Sequence, residues 1–128
     1  MNIVEKIDYL IEAKNVNLYH GTCADSASIL IKSGWKPRSG FSGGNVGQPN
    51  YLYLTNMKEN ARWFAEEKGC STVLLVKNVP LSFLKVDPED GIADTVEQEL
   101  NNKFGLPGYV VSTKHIKARN FKIVEKGR

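Results

Sequence analysis

Residues 71–79 read STVLLVKNV, a stretch in which apolar residues follow one another almost without a break. A strand with one face in water alternates between apolar and polar side chains, so this continuous run predicts a strand that is buried on both faces. Other elements must then cover the strand from each side. The sequence around residues 71–79 therefore decides the architecture.

Shorter strands are predicted on both sides of this segment. Upstream, residues 16–22 read VNLYHGT, and residues 51–55 alternate between a leucine face and a face of two tyrosines and a threonine. Downstream, strands are predicted over residues 83–87, 109–113 and 120–125.

Helices are predicted from the helical spacing of apolar residues. One covers the first dozen residues, and a second begins at Asp25 or Ser26 and ends at Gly34. Two further helices are predicted to begin at capping boxes, namely Asn56 with Glu59 and Asp94 with Glu97. The last of these extends to about residue 103. Strands separated by single helices indicate an α+β fold.

The chain has 128 residues and a mass of 14.3 kDa, which predicts one domain over residues 1–128. Hydrophobic residues make up 41% and charged residues 24%, values that exclude global disorder. No apolar run approaches the length of a membrane span, and the N-terminal residues lack a secretory cleavage site. We therefore expect no membrane association.

A long glycine-rich segment interrupts the regular pattern. Residues 36–50 read KPRSGFSGGNVGQPN and hold four of the 11 glycines. A loop of this length in a small domain is typical either of a binding loop or of a disordered segment.

The two cysteines, Cys23 and Cys70, form no CxxC pair and have no histidine at zinc-finger spacing. A structural zinc site is therefore not expected. A disulfide between them stays open, but two free thiols in a reducing compartment are the simpler interpretation, and they favour the cytoplasm.

Charge is distributed unevenly along the chain, although its net value is only +3. Residues 87–99 carry six acidic side chains and no basic one, whereas residues 114–128 carry six basic side chains and one acidic. The pattern fits two solvated faces, or a basic edge that guides a polyanion toward a site.

Several familiar catalytic motifs are absent. The sequence has no GxxxxGK[ST] and no HExxH, and its two histidines are too few for a multi-histidine metal centre. We expect no metal. The remaining candidates are the His-Gly-Thr at residues 20–22, the tyrosine face of residues 51–55, the acidic stretch and the glycine-rich loop.

Five segments together resemble a known family. LYHGT, the glycine-rich loop, NYLYLT, NARWFAEEKG and VLLVKNV follow one another in the order seen in ADP-ribosyltransferases of the branch named for a histidine and a tyrosine. The likeness is nearest to rifampin ADP-ribosyltransferases and more distant to poly-ADP-ribose polymerases and RNA 2′-phosphotransferases. It covers residues 18–79 well and the rest loosely. It implies a compact, split β-sheet core with flanking helices.

The resemblance implies that His20, Gly21, Thr22, Tyr53 and Trp63 bind NAD, with His20 and Tyr53 also catalytic. A glycine backbone can approach the nicotinamide carboxamide closely, an imidazole can hydrogen-bond a ribose hydroxyl, and a phenol ring can stack on the pyridine. Taken singly, each residue also fits a purely structural role. Their combination favours the site.

The third catalytic position is an acid that stabilises the positive charge on the ribose as nicotinamide leaves. In rifampin enzymes an aspartate follows the buried strand, so the resemblance points to Asp87, with Glu89 and Asp90 as neighbours. Other branches carry a glutamate where this chain has Gly108, so absence of the acid stays open. Glu97 and Glu99 are interpreted as solvated.

These residues predict a monomeric, cytoplasmic, NAD-dependent mono-ADP-ribosyltransferase. NAD is its co-substrate, and the acceptor is a small molecule, a protein or a nucleic acid, the last two reached through the basic C-terminal stretch. The alternatives are a non-catalytic module that binds NAD, ADP-ribose or nucleic acid, and an NAD-dependent RNA 2′-phosphotransferase.

Overall fold

The structure is a computed structural model and describes residues 14–37, 51–101 and 105–127. The helix predicted for the first dozen residues and nearly all of the glycine-rich loop lie outside these ranges. The strands are β1 (Asn15–Thr22), β2 (Leu52–Thr55), β3 (Thr72–Pro80), β4 (Leu84–Val86), β5 (Tyr109–Ser112) and β6 (Phe121–Glu125). The helices are α1 (Ala24–Ser33), α2 (Lys58–Glu67) and α3 (Val96–Glu99), with single 3-10 turns at Leu81–Phe83 and Ala118–Asn120.

The six strands form one sheet in the order β4-β5-β2-β1-β3-β6, and neighbouring strands run antiparallel. The α+β class predicted from the sequence is confirmed. The buried strand over residues 71–79 is confirmed as well, because β3 lies between β1 and β6 and several of its side chains have no exposed surface.

The sheet is covered on both faces. Leu18 of β1 and Leu74 of β3 pack with Ala27 and Leu30 of α1 in the main apolar core. Side chains alternate along a strand, so Gly21 belongs to the opposite face from Leu18. Helix α2 covers that second face, since the backbone of α2 contacts Gly21.

Pairing between β1 and β2 is short. Seven register positions join β1 to β3, whereas a single register pair, Tyr19 with Thr55, joins β1 to β2 in the described part of the chain. Beyond Tyr19, the backbone of β1 over residues 20–22 runs without a register partner in β2. The sheet therefore divides at this line into the groups β4-β5-β2 and β1-β3-β6.

The helix starts differ from those predicted. Helix α1 is preceded by Cys23 and helix α2 by Met57, and neither has a side-chain cap. Asn56 does not cap α2, because its side-chain amide donates to the carbonyl oxygen of Leu100 at 3.0 Å. Thr95, not Asp94, caps α3 by accepting from the backbone N–H of Gln98. Tertiary contacts outweigh the local capping pattern at these positions.

The two cysteines are joined, so the prediction of free thiols is wrong. Cys23 and Cys70 form a disulfide, with a Cα–Cα distance of 5.0 Å. The reason lies in the path of α2, which packs along β1 and brings the residues after its C-terminus beside the end of β1. No helix among the described residues has the length and apolar character that crossing a membrane requires.

Candidate functional site

Two adjoining cavities lie where β1 and β2 diverge. The larger has a volume of about 600 Å³ and is bounded mainly by α1, residues 34–37 and the beginning of β2. The smaller has a volume of about 320 Å³ and is bounded by β1, β2, α2 and residues 89–90. His20, Tyr53 and Lys68 line both. Each volume falls within the range of small-molecule sites.

His20 bridges the line between β1 and β2. Its Nδ1 lies 2.8 Å from the carbonyl oxygen of Tyr53. A carbonyl oxygen only accepts, so Nδ1 carries the proton and donates, and Nε2 keeps a lone pair that can accept a hydrogen bond. Burial lowers the pKa of His20 to about 4 despite this hydrogen bond, and the positive charge of Lys68 adds to the lowering. The imidazole is therefore neutral at pH 7.

Gly21 and Thr22 follow His20 and lie one on each cavity. Gly21 lines the smaller cavity and Thr22, which is buried, lines the larger. The structural need for glycine differs from the expected one, because a Cβ on Gly21 would stand 1.7 Å from the carbonyl oxygen of Ala61. The close approach of α2 thus requires glycine here, whatever else binds to its backbone.

Tyr53 pairs with Val111 of β5, and by alternation its ring shares a face with Thr55 and Gly21. His20 belongs to the other face, yet its ring and that of Tyr53 line the same two cavities. The structure therefore brings together four of the residues singled out from the sequence, namely His20, Gly21, Thr22 and Tyr53.

Trp63 lies apart from both cavities. Its side chain is 54% exposed, and its ring contacts Phe64 with centroids 5.5 Å apart. Phe64 lines the smaller cavity and stacks at a tilt on Tyr109, 5.2 Å away. The aromatic wall next to Tyr53 is thus Phe64, one residue beyond the tryptophan that the resemblance indicates.

Asp87 is buried and engaged within its own turn. Its side chain is 2% exposed, and its Oδ1 accepts from the backbone N–H groups of Glu89 at 2.8 Å and Asp90 at 3.3 Å. Asp87 is not among the residues that line the two cavities, whereas Glu89 and Asp90 both line the smaller one. The acidic residues of this turn that reach the cavity are therefore the two neighbours of the expected acid.

Glu99 is not solvated, so that prediction is wrong, whereas Glu97 is exposed as expected. The Glu99 carboxylate is 1% exposed and accepts four backbone N–H groups. Its Oε1 accepts from Ile92 and Ala93, both at 2.8 Å, and its Oε2 accepts from Gly108 at 2.8 Å and Tyr109 at 3.1 Å.

Burial would raise the pKa of Glu99, but these four hydrogen bonds together hold it below its ordinary value. The carboxylate therefore stays ionised, and it joins residues 92–93, which follow the acidic turn, to the start of β5.

Gly108 has no space for an acidic side chain. Its φ of 76° lies in the left-handed region, and a Cβ would stand 2.0 Å from Oδ1 of Asn56. A glutamate here, as in other branches of the resembled family, would strain the left-handed backbone and displace the Asn56 side chain.

The smaller cavity has an acidic character. Glu67, Glu89 and Asp90 line it, with Lys68 as the basic residue among its lining. Burial raises the pKa of the nearby Tyr109 hydroxyl, and the negative charges of Asp90 and Glu67 raise it further. Burial lowers the pKa of Lys68, with Glu67 opposing. A cationic group that entered this cavity would gain favourable electrostatic energy.

Sequence reasoning missed Phe64, Glu67 and Lys68 as cavity residues. Phe64 recurs at helical spacing with Ala61 and Ala65, and this pattern does not distinguish a core position from a cavity wall. The described residues contain no group of three or more potential metal ligands.

Comparison of the chain with protein-family models, with curated proteins and with solved structures found no match.

Proposed function

We propose that the chain has the ADP-ribosyltransferase fold of the His-Tyr branch and is an NAD-dependent mono-ADP-ribosyltransferase. The observation that carries the proposal is the convergence of His20, Gly21 and Tyr53 on two adjoining cavities, one of which is acidic. Motif order alone does not require these residues to meet in space.

NAD fits the two cavities as a substrate. The smaller cavity offers the nicotinamide ring two aromatic neighbours, Tyr53 and Phe64, and the backbone of Gly21. Stacking on such rings contributes about 0.5–1.5 kcal/mol beyond burial. The dinucleotide then passes His20 toward the larger cavity, where Thr22 and Ser26 supply hydroxyl groups.

His20 acts as a neutral hydrogen-bond acceptor in this proposal. The carbonyl oxygen of Tyr53 fixes Nδ1 as the donor, so Nε2 accepts from a ribose hydroxyl. The same hydrogen bond holds the ring in one orientation, which lowers the entropic cost of binding.

The acid that stabilises the ribosyl cation is Glu89 or Asp90 rather than Asp87. Both line the smaller cavity, and the backbone N–H groups of both donate to the carboxylate of Asp87. In the reaction, the bond between ribose and nicotinamide breaks, and nicotinamide leaves with the electron pair. A nucleophile of the acceptor then bonds to the ribose carbon and loses its proton. Negative charge beside the ribose stabilises this transition state more than the ground state.

Release of nicotinamide from NAD tests the proposal, with water or a cell lysate as the source of acceptor. We expect release by the wild-type chain and none by Tyr53→Ala or His20→Ala. Tyr53→Phe keeps the ring and serves as the matched control, with activity largely retained. Release that persists in both alanine variants would place the chemistry elsewhere.

A non-catalytic NAD-binding module is the second candidate, because Gly108 and the engaged Asp87 leave both expected acid positions without a carboxylate in the cavity. Calorimetric titration with NAD separates the two. Binding without nicotinamide release, in the presence of lysate, would favour the module.

A further inference from the structure

Five exposed cations lie on two segments that meet beside the larger cavity, and we call this group the basic rim. It consists of Lys32, Lys36, Lys114, Lys117 and Arg119. Lys32 lies in the last turn of α1 and Lys36 follows that helix, whereas the other three cations lie between β5 and β6. The basic rim therefore draws on two segments that are far apart in sequence.

Backbone pairing brings these two segments together. The N–H of Trp35 donates to the carbonyl oxygen of Ile116 at 2.8 Å. In return, the N–H of Ile116 donates to the carbonyl oxygen of Trp35 at 2.9 Å. Gly34 sits so close to the same segment that a Cβ would stand 2.5 Å from the Ile116 oxygen. Lys36 and Lys117 thus flank one short two-stranded bridge.

No acidic residue compensates the basic rim locally. Residues 28–37 and 113–120 contain no aspartate or glutamate. The ion pairs found among the described residues join Lys58 and Arg62 to Glu125 and involve no cation of the rim. Without these five cations the formal net charge of +3 would become −2. The basic rim therefore carries five positive charges, and the two segments that hold them contain no acidic residue.

The basic rim adjoins an aromatic part of the larger cavity. Trp35, Lys36 and Tyr51 all line that cavity. Lysine and arginine side chains bind successive phosphates of a nucleic acid, and aromatic rings next to them stack on unpaired bases. An acidic protein surface would use the cations but would not stack on these partly exposed rings.

We propose that the basic rim binds the phosphate backbone of a single-stranded nucleic acid, which is the acceptor of the ADP-ribose. A base at the mouth of the larger cavity stacks on Trp35, and the nucleotide thereby approaches His20 and Tyr53. The acceptor role rests on the proposed transferase function, whereas binding itself does not.

Fluorescence anisotropy with labelled oligo-dT and oligo-U, without NAD, tests the binding. For five cation–phosphate contacts, the slope of log affinity against log salt is expected to be about −3.5. In the double variant Lys117→Ala/Arg119→Ala the slope falls in magnitude to about 2 and affinity at low salt drops about tenfold. The control is Lys14→Ala/Lys126→Ala, which removes two exposed cations outside the basic rim and should leave both values nearly unchanged.

Three results would overturn the proposal. One is equal binding by the rim variant and the control variant, and another is displacement of the oligonucleotide by poly-glutamate as readily as by unlabelled oligonucleotide. The third is tighter binding of duplex than of single strands. The binding assay contains no NAD, so it is independent of the assay of nicotinamide release. Absence of oligonucleotide binding would not contradict the transferase function, and absence of nicotinamide release would not contradict the binding.

Discussion

The imidazole of His20 and the backbone of Tyr53 are joined by a 2.8 Å hydrogen bond across the line where β1 and β2 part. This contact connects the two groups of strands at the place where regular pairing ends. It also fixes the tautomer of the ring, so one interaction serves both the sheet and the candidate site.

The first prediction concerns acid. The pKa of His20 is about 4 in the folded chain and about 6.5 when unfolded, so between these values only the unfolded state binds the extra proton. Stability from the neutral ring is complete above pH 6.5 and is lost as pH falls toward 4. Between pH 7 and pH 5 we expect the free energy of unfolding to fall by about 2 kcal/mol from this group. Denaturant titrations at both pH values measure it, and His20→Gln should remove most of the difference. An unchanged difference in that variant would assign it to other groups.

The second prediction separates two reasons for glycine. Gly21→Ala places a Cβ against the backbone of Ala61, which can move only with α2, so we expect a loss of about 3 kcal/mol. Gly69 has open space but a φ of 76°, so Gly69→Ala should cost about 1 kcal/mol through backbone strain alone. Chemical denaturation of both variants checks the order. Equal losses would mean that α2 adjusts freely.

The third prediction concerns the buried carboxylate of Glu99. The Glu99 carboxylate accepts hydrogen bonds from backbone N–H groups, and in Glu99→Gln one of its oxygens is replaced by an NH₂ group that cannot accept them. We therefore expect the free energy of unfolding to fall by about 3 kcal/mol. Glu97→Gln, two residues away and exposed, is the matched control and should change stability by less than about 0.5 kcal/mol. Similar melting temperatures for the two variants would contradict the structural role of Glu99.

The fourth prediction distinguishes the acids of the turn by what each variant changes. Glu89→Gln or Asp90→Asn should lower the rate of nicotinamide release about 100-fold with little change in melting temperature, because these side chains line the cavity. Asp87→Asn should lower the melting temperature, since Asp87 holds the turn from within. Loss of activity in Asp87→Asn alone, at unchanged melting temperature, would return the catalytic role to Asp87.

The sequence predicts well what depends on local pattern. The continuous run of residues 71–79 is β3, Gly34 ends α1 with a positive φ, and alternation in residues 51–55 matches β2. These features follow from periodicity and from the conformational freedom of glycine, which a short window of sequence reveals.

What the sequence does not reveal depends on contacts between distant residues. Glu99 is polar and lies in a polar stretch, and only the approach of Gly108 and Tyr109 makes its burial favourable. Asn56 has the pattern of a helix cap, but its side-chain amide donates to the carbonyl oxygen of Leu100 instead. Asp87 has the right position along the chain for an acid, and the tight turn after β4 draws its carboxylate inward.

The disulfide between Cys23 and Cys70 encloses α1, β2 and α2 within one covalent ring. A protease that cuts the chain once anywhere inside this ring leaves the two fragments linked. Such a nicked molecule keeps its full mass under denaturing, non-reducing conditions, and it separates into two pieces only after a thiol reagent is added.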